Sequence, residues 1–334
     1  MHTHLKIWDK AIPLNTGLTK YNDLEPYDKD MPGFKALAFS FDPKLRRRDL
    51  IGPNTAARKL YIEEKHFISD KYDDEPYIVP FLTDKSDLAV LVVPGGAYQD
   101  VSLDGEGYPM ALYLQEHGIN AFVLKYRVYP YKYPSAALDC RRALCYLKYN
   151  AKELKIDPNK INLIGFSAGG NLVGVTTYLM KNMPQIQGYQ MDDIDRIDPS
   201  PATVAPIYPE LEADPFLLAN QFGQRIYDDE EFFQNIVKEQ YIPQYTKENK
   251  TPVFMCQAID DGVVDPINVL KMASECHKNK VIFELHLFSE GGHGFGAQQE
   301  DFPPMFGLPR RRMDGTKEWV NLYITWIKKM ATRD

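Results

Sequence analysis

The sequence is sparing in cysteine, in long apolar runs and in positive charge. Its four cysteines, Cys140, Cys145, Cys256 and Cys276, form no CxxC pair. That scatter suits free thiols in a reducing, cytoplasmic setting and gives no sign of a disulfide framework. The longest clean apolar run, Leu88 to Val93, falls far short of the roughly 20 residues of a membrane span. The opening MHTHLKIWDK lacks a basic stretch followed by an apolar core, so neither a signal peptide nor a membrane partner is expected. Lys plus Arg is 39 against 46 Asp plus Glu, a net charge of −7. That is the wrong sign for a nucleic-acid footprint. Repeats and low-complexity tracts are absent.

What remains is an ordinary globular composition, 44% hydrophobic and 25% charged over 334 residues. A chain of this size buries roughly three quarters of its unfolded surface and needs no staple. Up to about residue 75 it mixes charges, prolines and aromatics without period. The basic triplet Arg46-Arg47-Arg48 there suits a solvated helix end.

From residue 77 the pattern sharpens. PYIVPFL, LAVLVV (88–93), INAFVLKY (119–126), KINLIGF (160–166), ATVAPIY, TPVFMCQAI and VIFELHLF read as strands. Helical patterns fall between them at 107–117, 135–154, 168–181 and 266–278, with a last one at 315–330. This alternation predicts an α/β fold, a mostly parallel sheet with helices on both faces. Ligands then bind beyond the carboxyl ends of the strands. The segment 184–250 breaks the rhythm. It is expected to be either a small cap over those strand ends or a surface excursion away from them.

Strand 160–166 runs into Gly165-Phe166-Ser167-Ala168-Gly169. G-x-S-x-G at a strand-to-helix junction is a strained turn that lifts a nucleophile to the mouth of the sheet. The plainer alternative is a serine that caps the helix. A serine nucleophile needs a base, and the chain has seven histidines. His2 and His4 lie at the terminus and His66 in a charged stretch. His117 and His277 sit late on helices, where a cation suits the dipole, and His286 lies inside a strand. His293 stands apart in the glycine-rich loop Gly291-Gly292-His293-Gly294 after the strand 281–288. The third member is a carboxylate, and strand 252–259 ends in Asp260-Asp261-Gly262-Val263-Val264-Asp265. All three aspartates compete, with helix capping the plainer role for Asp265. The order Ser, Asp, His is that of α/β-hydrolases. An oxyanion hole requires backbone N–H donors, one from Ala168 and the others from the loop Pro94-Gly95-Gly96-Ala97-Tyr98.

VVPGGAYQDVS, LKYRVYP, IDPNKINLIGFSAGGNL, AIDDGVVDP and LHLFSEGGHGFG together resemble the α/β-hydrolase esterases. The nearest branch is that of acetyl- and acetylxylan-esterase-like enzymes related to the hormone-sensitive lipase group. The resemblance spans about residues 77–330. It implies Asp261 as the acid, through a D-x-x-V-P segment in which Asp265 replaces the proline. It implies Gly96, Ala97 and Ala168 as oxyanion donors, with Ala97 where relatives carry glycine. An alanine does not freely adopt φ > 0.

The expected protein is a serine carboxylic-ester hydrolase with the triad Ser167, Asp261 and His293. Its expected substrates are short acyl esters, with acetylated carbohydrates suggested by the resemblance, and no metal or organic cofactor takes part. The expected organisation is an N-terminal extension, 1–76, packed on or leading into a hydrolase domain, 77–334. The partner expected is a small ester; homo-oligomerisation is left open. Two rival readings are an exopeptidase or amidase with the same triad, and a non-catalytic binding protein on this fold.

Overall fold

Apolar β-branched runs with no polar interruption are stable only when both faces of the strand are covered. The computed structural model describes residues 4–9, 11–15, 75–128, 131–223, 225–297 and 314–333. Most of the 1–76 extension, with Arg46–Arg48, His2 and His66, lies outside the described residues.

Among the described residues, eight strands form one sheet: β1 (Leu5–Lys6), β2 (Tyr77–Phe81), β3 (Ala89–Val93), β4 (Asn120–Lys125), β5 (Ile161–Phe166), β6 (Val204–Ile207), β7 (Val253–Ala258) and β8 (Phe283–Phe288). Their order is β1-β2-β4-β3-β5-β6-β7-β8. β1 and β2 pair antiparallel at one edge, and every ladder from β4 to β8 is parallel. β3 and β5 lie at the centre with every residue buried, whereas β8, at the far edge, is half-exposed along most of its length.

The longer helices are α1 (Tyr108–Glu116), α2 (Ser135–Tyr149), α3 (Ala168–Leu179), α4 (Pro215–Phe222), α5 (Glu230–Gln240), α6 (Ile267–Lys278) and α7 (Trp319–Ala331), of which α1, α2, α3, α6 and α7 pack on the sheet. A π-helical turn, Leu103–Gly107, leads into α1. The helix expected over 135–154 is broken. Asn150 ends α2 by donating its side-chain amide to the Tyr146 carbonyl, and a separate turn, Ala151–Leu154, follows. The last helix begins at Trp319, after a 3-10 turn at Asp314–Thr316.

The 184–250 segment divides. Its first part packs against α2, where Asp192 and Asp195 receive the Arg142 guanidinium. Its second part carries α4 and α5. Asp214 and Asp229 cap them by accepting from Leu217 N and Phe232 N. Ala213, Leu218, Ala219, Ile226 and Ile236 form a small apolar core of their own there.

Residues 4–9 and 11–15 are built into the same body. Arg142 donates to the Ile7 carbonyl and lies over the Trp8 ring. Arg127 donates to the Pro13 carbonyl and pairs with buried Asp139, which also accepts from Trp8 Nε1. His4, expected only as a terminal residue, stacks on Tyr77 of β2.

Candidate active site

β5 enters the turn at Ser167, and α3 begins one residue later. Two glycines make the turn sterically feasible. A Cβ at Gly165 would sit 2.1 Å from the Gly169 carbonyl oxygen, and one at Gly169 would sit 2.2 Å from that of Val93. Ser167 itself adopts φ 52°, ψ −118°, a strained backbone for a residue with a side chain. Its hydroxyl makes no capping bond to α3. It lies 2.8 Å from Nε2 of His293.

His293 Nδ1 is 2.8 Å from Oδ2 of Asp261. Facing a carboxylate that accepts at Nδ1, an imidazole protonated there has Nε2 placed to accept from the serine hydroxyl. Both side chains are withdrawn from water, His293 at 5% exposure and Asp261 at 9%. Asp261 Oδ1 accepts from Val263 N at 2.8 Å and Val264 N at 3.0 Å, and Oδ2 also accepts from Gln257 Nε2 at 2.8 Å.

The three competing aspartates separate by position. Asp260 Oδ1 accepts from Gly292 N at 2.7 Å, which anchors the loop immediately before His293. Asp265 accepts from Ile267 N at the start of α6. Only Asp261 reaches the imidazole. The other described histidines lie elsewhere: Nδ1 of His117 lies at the Tyr113 carbonyl, Nε2 of His286 lies at Glu284, His4 stacks on Tyr77, and His277 is in the last turn of α6.

The loop after β3 runs beneath the serine turn. Gly96 has φ 131°, Ala97 φ 56° and Tyr98 φ 58°. The expected reluctance of Ala97 to enter the left-handed region is thus overridden. Among the described residues, the N–H groups of Gly96 and Ala97 have no backbone acceptor. The Ala168 N–H belongs to the first turn of α3, where helix amides lack internal partners.

Residues not anticipated from sequence grip this loop. The Pro94–Gly95 peptide is held at both polar atoms. Tyr126 O–H donates to its carbonyl at 2.8 Å, and its N–H donates to Glu106 Oε2 at 2.6 Å. Glu106, 0% exposed, also accepts from Tyr208 O–H at 2.9 Å. Tyr208 O–H in turn accepts from Gly296 N at 3.2 Å, and its ring meets His293 edge-on. Burial raises the phenols of Tyr126 and Tyr208, and the nearby Glu106 carboxylate adds to both shifts. Glu106 lies 11 residues after Gly95, and no spacing rule singles it out. From the insert, α4 touches the same loop. Asn220 Nδ2 donates to the Ala97 carbonyl at 2.9 Å, and Asn220 Oδ1 accepts from Gln99 Nε2 at 3.0 Å.

Glu210 follows β6, and its carbonyl accepts from Asn171 Nδ2 of α3 at 2.8 Å. Burial pushes its carboxyl up to about 7, reinforced by Asp214 and Glu212. Among the described residues, no cluster of three or more His, Cys, Asp or Glu side chains is arranged to hold a metal. No described helix is long and apolar enough to cross a membrane.

The profile of the BD-FAE family matches residues 78–275, more than half of the chain and a span that includes Ser167 and Asp261. The chain belongs to the BD-FAE family. This BD-FAE member is 28% identical over 223 residues to endo-1,4-beta-xylanase B of Butyrivibrio fibrisolvens, covering 64% of the chain and 33% of that protein. It is 27% identical over 241 residues to the acetylxylan esterase of Xylanibacter ruminicola, covering 67% of the chain and 44% of that protein. The BD-FAE chain therefore spans less than half the length of either curated relative. Among solved structures it is similar to the acetyl ester-xyloside bifunctional hydrolase of Caldicellulosiruptor lactoaceticus, with a TM-score of 0.66, 25% identity and coverage of 100% of this chain and 98% of that one. The α/β-hydrolase architecture and the esterase resemblance carried by the five sequence motifs agree with these matches.

Proposed function

We propose that the protein is a serine carboxylic-ester hydrolase, with short-chain acyl esters, and acetylated carbohydrates in particular, as its substrates. The observation that carries the reading is the hydrogen-bonded line from Asp261 through His293 to Ser167, each step 2.8 Å, beside amides without backbone acceptors. The sugar part of the reading draws on the acetylxylan esterase and the acetyl ester-xyloside hydrolase among the similar proteins.

In this reading Ser167 Oγ attacks the ester carbonyl carbon while His293 Nε2 takes its proton. The tetrahedral oxyanion receives the N–H groups of Gly96, Ala97 and Ala168. Asp261 fixes the imidazole tautomer and stabilises the imidazolium. Collapse expels the alcohol, protonated by His293. Water then attacks the acyl-enzyme through the same groups. Residues 77–334 carry the proposed active site, with the described residues before Asn15 packed against them, and the second half of the 184–250 insert joins its substrate face through α4.

The test is turnover of p-nitrophenyl acetate and of acetylated xylo-oligosaccharides by the parent protein and by Ser167→Ala. The expected result is release of product by the parent and a loss of about 10⁶-fold in kcat for the variant. An inactive parent, or equal rates for the two proteins, overturns the reading. Activity on the nitrophenyl ester without deacetylation of the sugars overturns the carbohydrate part alone.

A further inference from the structure

We propose that Asn220, on the insert helix α4, is a positioning residue that holds Ala97 in the left-handed conformation from which its N–H meets the reaction centre. The inference rests on the reading of Gly96 and Ala97 as oxyanion donors. It adds to that reading the source of their geometry.

The loop poses a conformational problem. Ala97 and Tyr98 are consecutive residues with Cβ atoms, and both sit at positive φ. Cβ crowds the following carbonyl there, and single residues tolerate the region only when their surroundings compel it. Alanine has no polar side chain with which to compensate locally. The turn offers part of the restraint, because the Gly96 carbonyl accepts from Gln99 N at 2.9 Å and Asp100 N at 3.0 Å. Those bonds close the turn around residues 97 and 98 without touching the polar atoms of either.

Asn220 supplies the missing contact. Its amide is satisfied at both ends by this loop, donating to the Ala97 carbonyl and accepting from the Gln99 side chain. It staples residues 97 and 99 on either side of Tyr98. Fixing the Ala97 carbonyl fixes the 97–98 peptide plane; with the Gly96 carbonyl already held by Gln99 N and Asp100 N, the φ and ψ of Ala97 are restrained from both sides, and with them the direction of its N–H. Asn220 is itself 2% exposed, so water does not compete for these bonds. The end of α4 is anchored in turn: Lys132 Nζ donates to the Asn220 carbonyl, and Tyr133 N donates to the Gln221 carbonyl. The insert is thereby wired into the catalytic geometry as well as the substrate face.

The experiment compares the parent, Asn220→Ala, Asn220→Asp, Ala97→Gly and the double variant Ala97→Gly with Asn220→Ala. Hydrolysis of p-nitrophenyl acetate is measured as kcat per active site titrated with diethyl p-nitrophenyl phosphate, together with KM and Tm. Parent activity is established first, so failure of the hydrolase reading is seen before any variant is compared. Asn220→Ala is expected to lower kcat about tenfold with KM changed by less than about threefold, because an unsupported alanine leaves the left-handed region. Asn220→Asp keeps the acceptor for Gln99 and loses the donor to Ala97, so the same loss is expected. It decides the matter should the alanine variant fold poorly. Glycine adopts positive φ without strain, so in the Ala97→Gly background the loss from Asn220→Ala is expected to shrink to about threefold or less. Parent-like kcat in both Asn220 variants overturns the proposal. So does a loss that glycine at position 97 fails to reduce, since a merely structural asparagine gives an unchanged loss in either background.

Discussion

On the proposed acid side of Ser167, Asp261 is held by Gln257, Val263 and Val264, all within four residues of it. On the oxyanion side, Pro94, Gly95, Ala97 and Gln99 are held by Tyr126, Glu106 and Asn220, whose separations along the chain run from 11 to 123 residues. The first arrangement is assembled once β7 and its following turn exist. The second is complete only when β4, the π-helical turn and the insert have all docked on the same loop. In the proposed mechanism, the geometry on the oxyanion side is therefore exposed to substitutions far from the serine, while the support of Asp261 is local.

Exchanging the aspartates tests the acid side and carries the largest expected effect here. Asp261→Asn lowers kcat for p-nitrophenyl acetate by about 10⁴-fold, since an amide no longer stabilises the imidazolium or its tautomer. Asp260→Asn keeps an acceptor for Gly292 N and loses about tenfold or less, and Asp265→Asn stays within about twofold. A larger loss at position 260 or 265 reverses the assignment.

A sharper comparison pairs Glu106→Gln with Gln257→Met. The single carbonyl oxygen of glutamine serves Gly95 N or Tyr208 O–H well, not both. The expected loss in kcat is about 10- to 100-fold, at the lower end of what the removal of one oxyanion donor costs. Gln257→Met leaves Asp261 with His293, Val263 N and Val264 N, and the expected loss is about three- to tenfold. If Gln257→Met proves the more damaging, the contrast between distant and local support fails.

The smallest effect expected is on stability. Burial raises the Glu210 carboxyl from its ordinary value of 4.5 to about 7. The folded protein therefore holds this proton where the unfolded chain has released it. The contribution is fully present below the unfolded value and is lost as pH rises through about 7. Glu210→Gln removes this dependence, so its Tm should decline less than the parent's between about pH 5 and pH 8. Parallel Tm curves for the two proteins would contradict the raised value.

The same division between local and distant support governs what was legible in the amino-acid string. The strands, their order along the chain and the serine turn follow from short patterns: buried β-branched runs and G-x-S-x-G. His293 and the aspartate run follow from their places after particular strands. Spacing alone left Asp260, Asp261 and Asp265 in competition, because adjacent residues on a turn point in directions that only coordinates separate. Glu106, Tyr208 and Asn220 were not legible. Each meets the site across many residues, and each looks like an unremarked polar residue on a turn, a strand end or a helix. The insert was ambiguous for a related reason. Its first half packs on α2 through Asp192 and Asp195 and its second reaches the oxyanion loop, so neither single expectation describes it.

The contacts of Ile7, Trp8 and Pro13 with Arg127 and α2 have a consequence for how this chain can be divided. Arg127 and Arg142 are interior cations, and part of their coordination comes from the Pro13 and Ile7 carbonyls. Cutting away the first fifteen residues would not shave an appendage from an intact enzyme. It would open the Trp8 seat beneath one guanidinium and strip a carbonyl from each, in surroundings where water is a poor replacement. The natural seam for grafting or recombining this catalytic unit therefore does not fall at β2. It lies upstream of Leu5, so that the short opening strand travels with the strands that follow it.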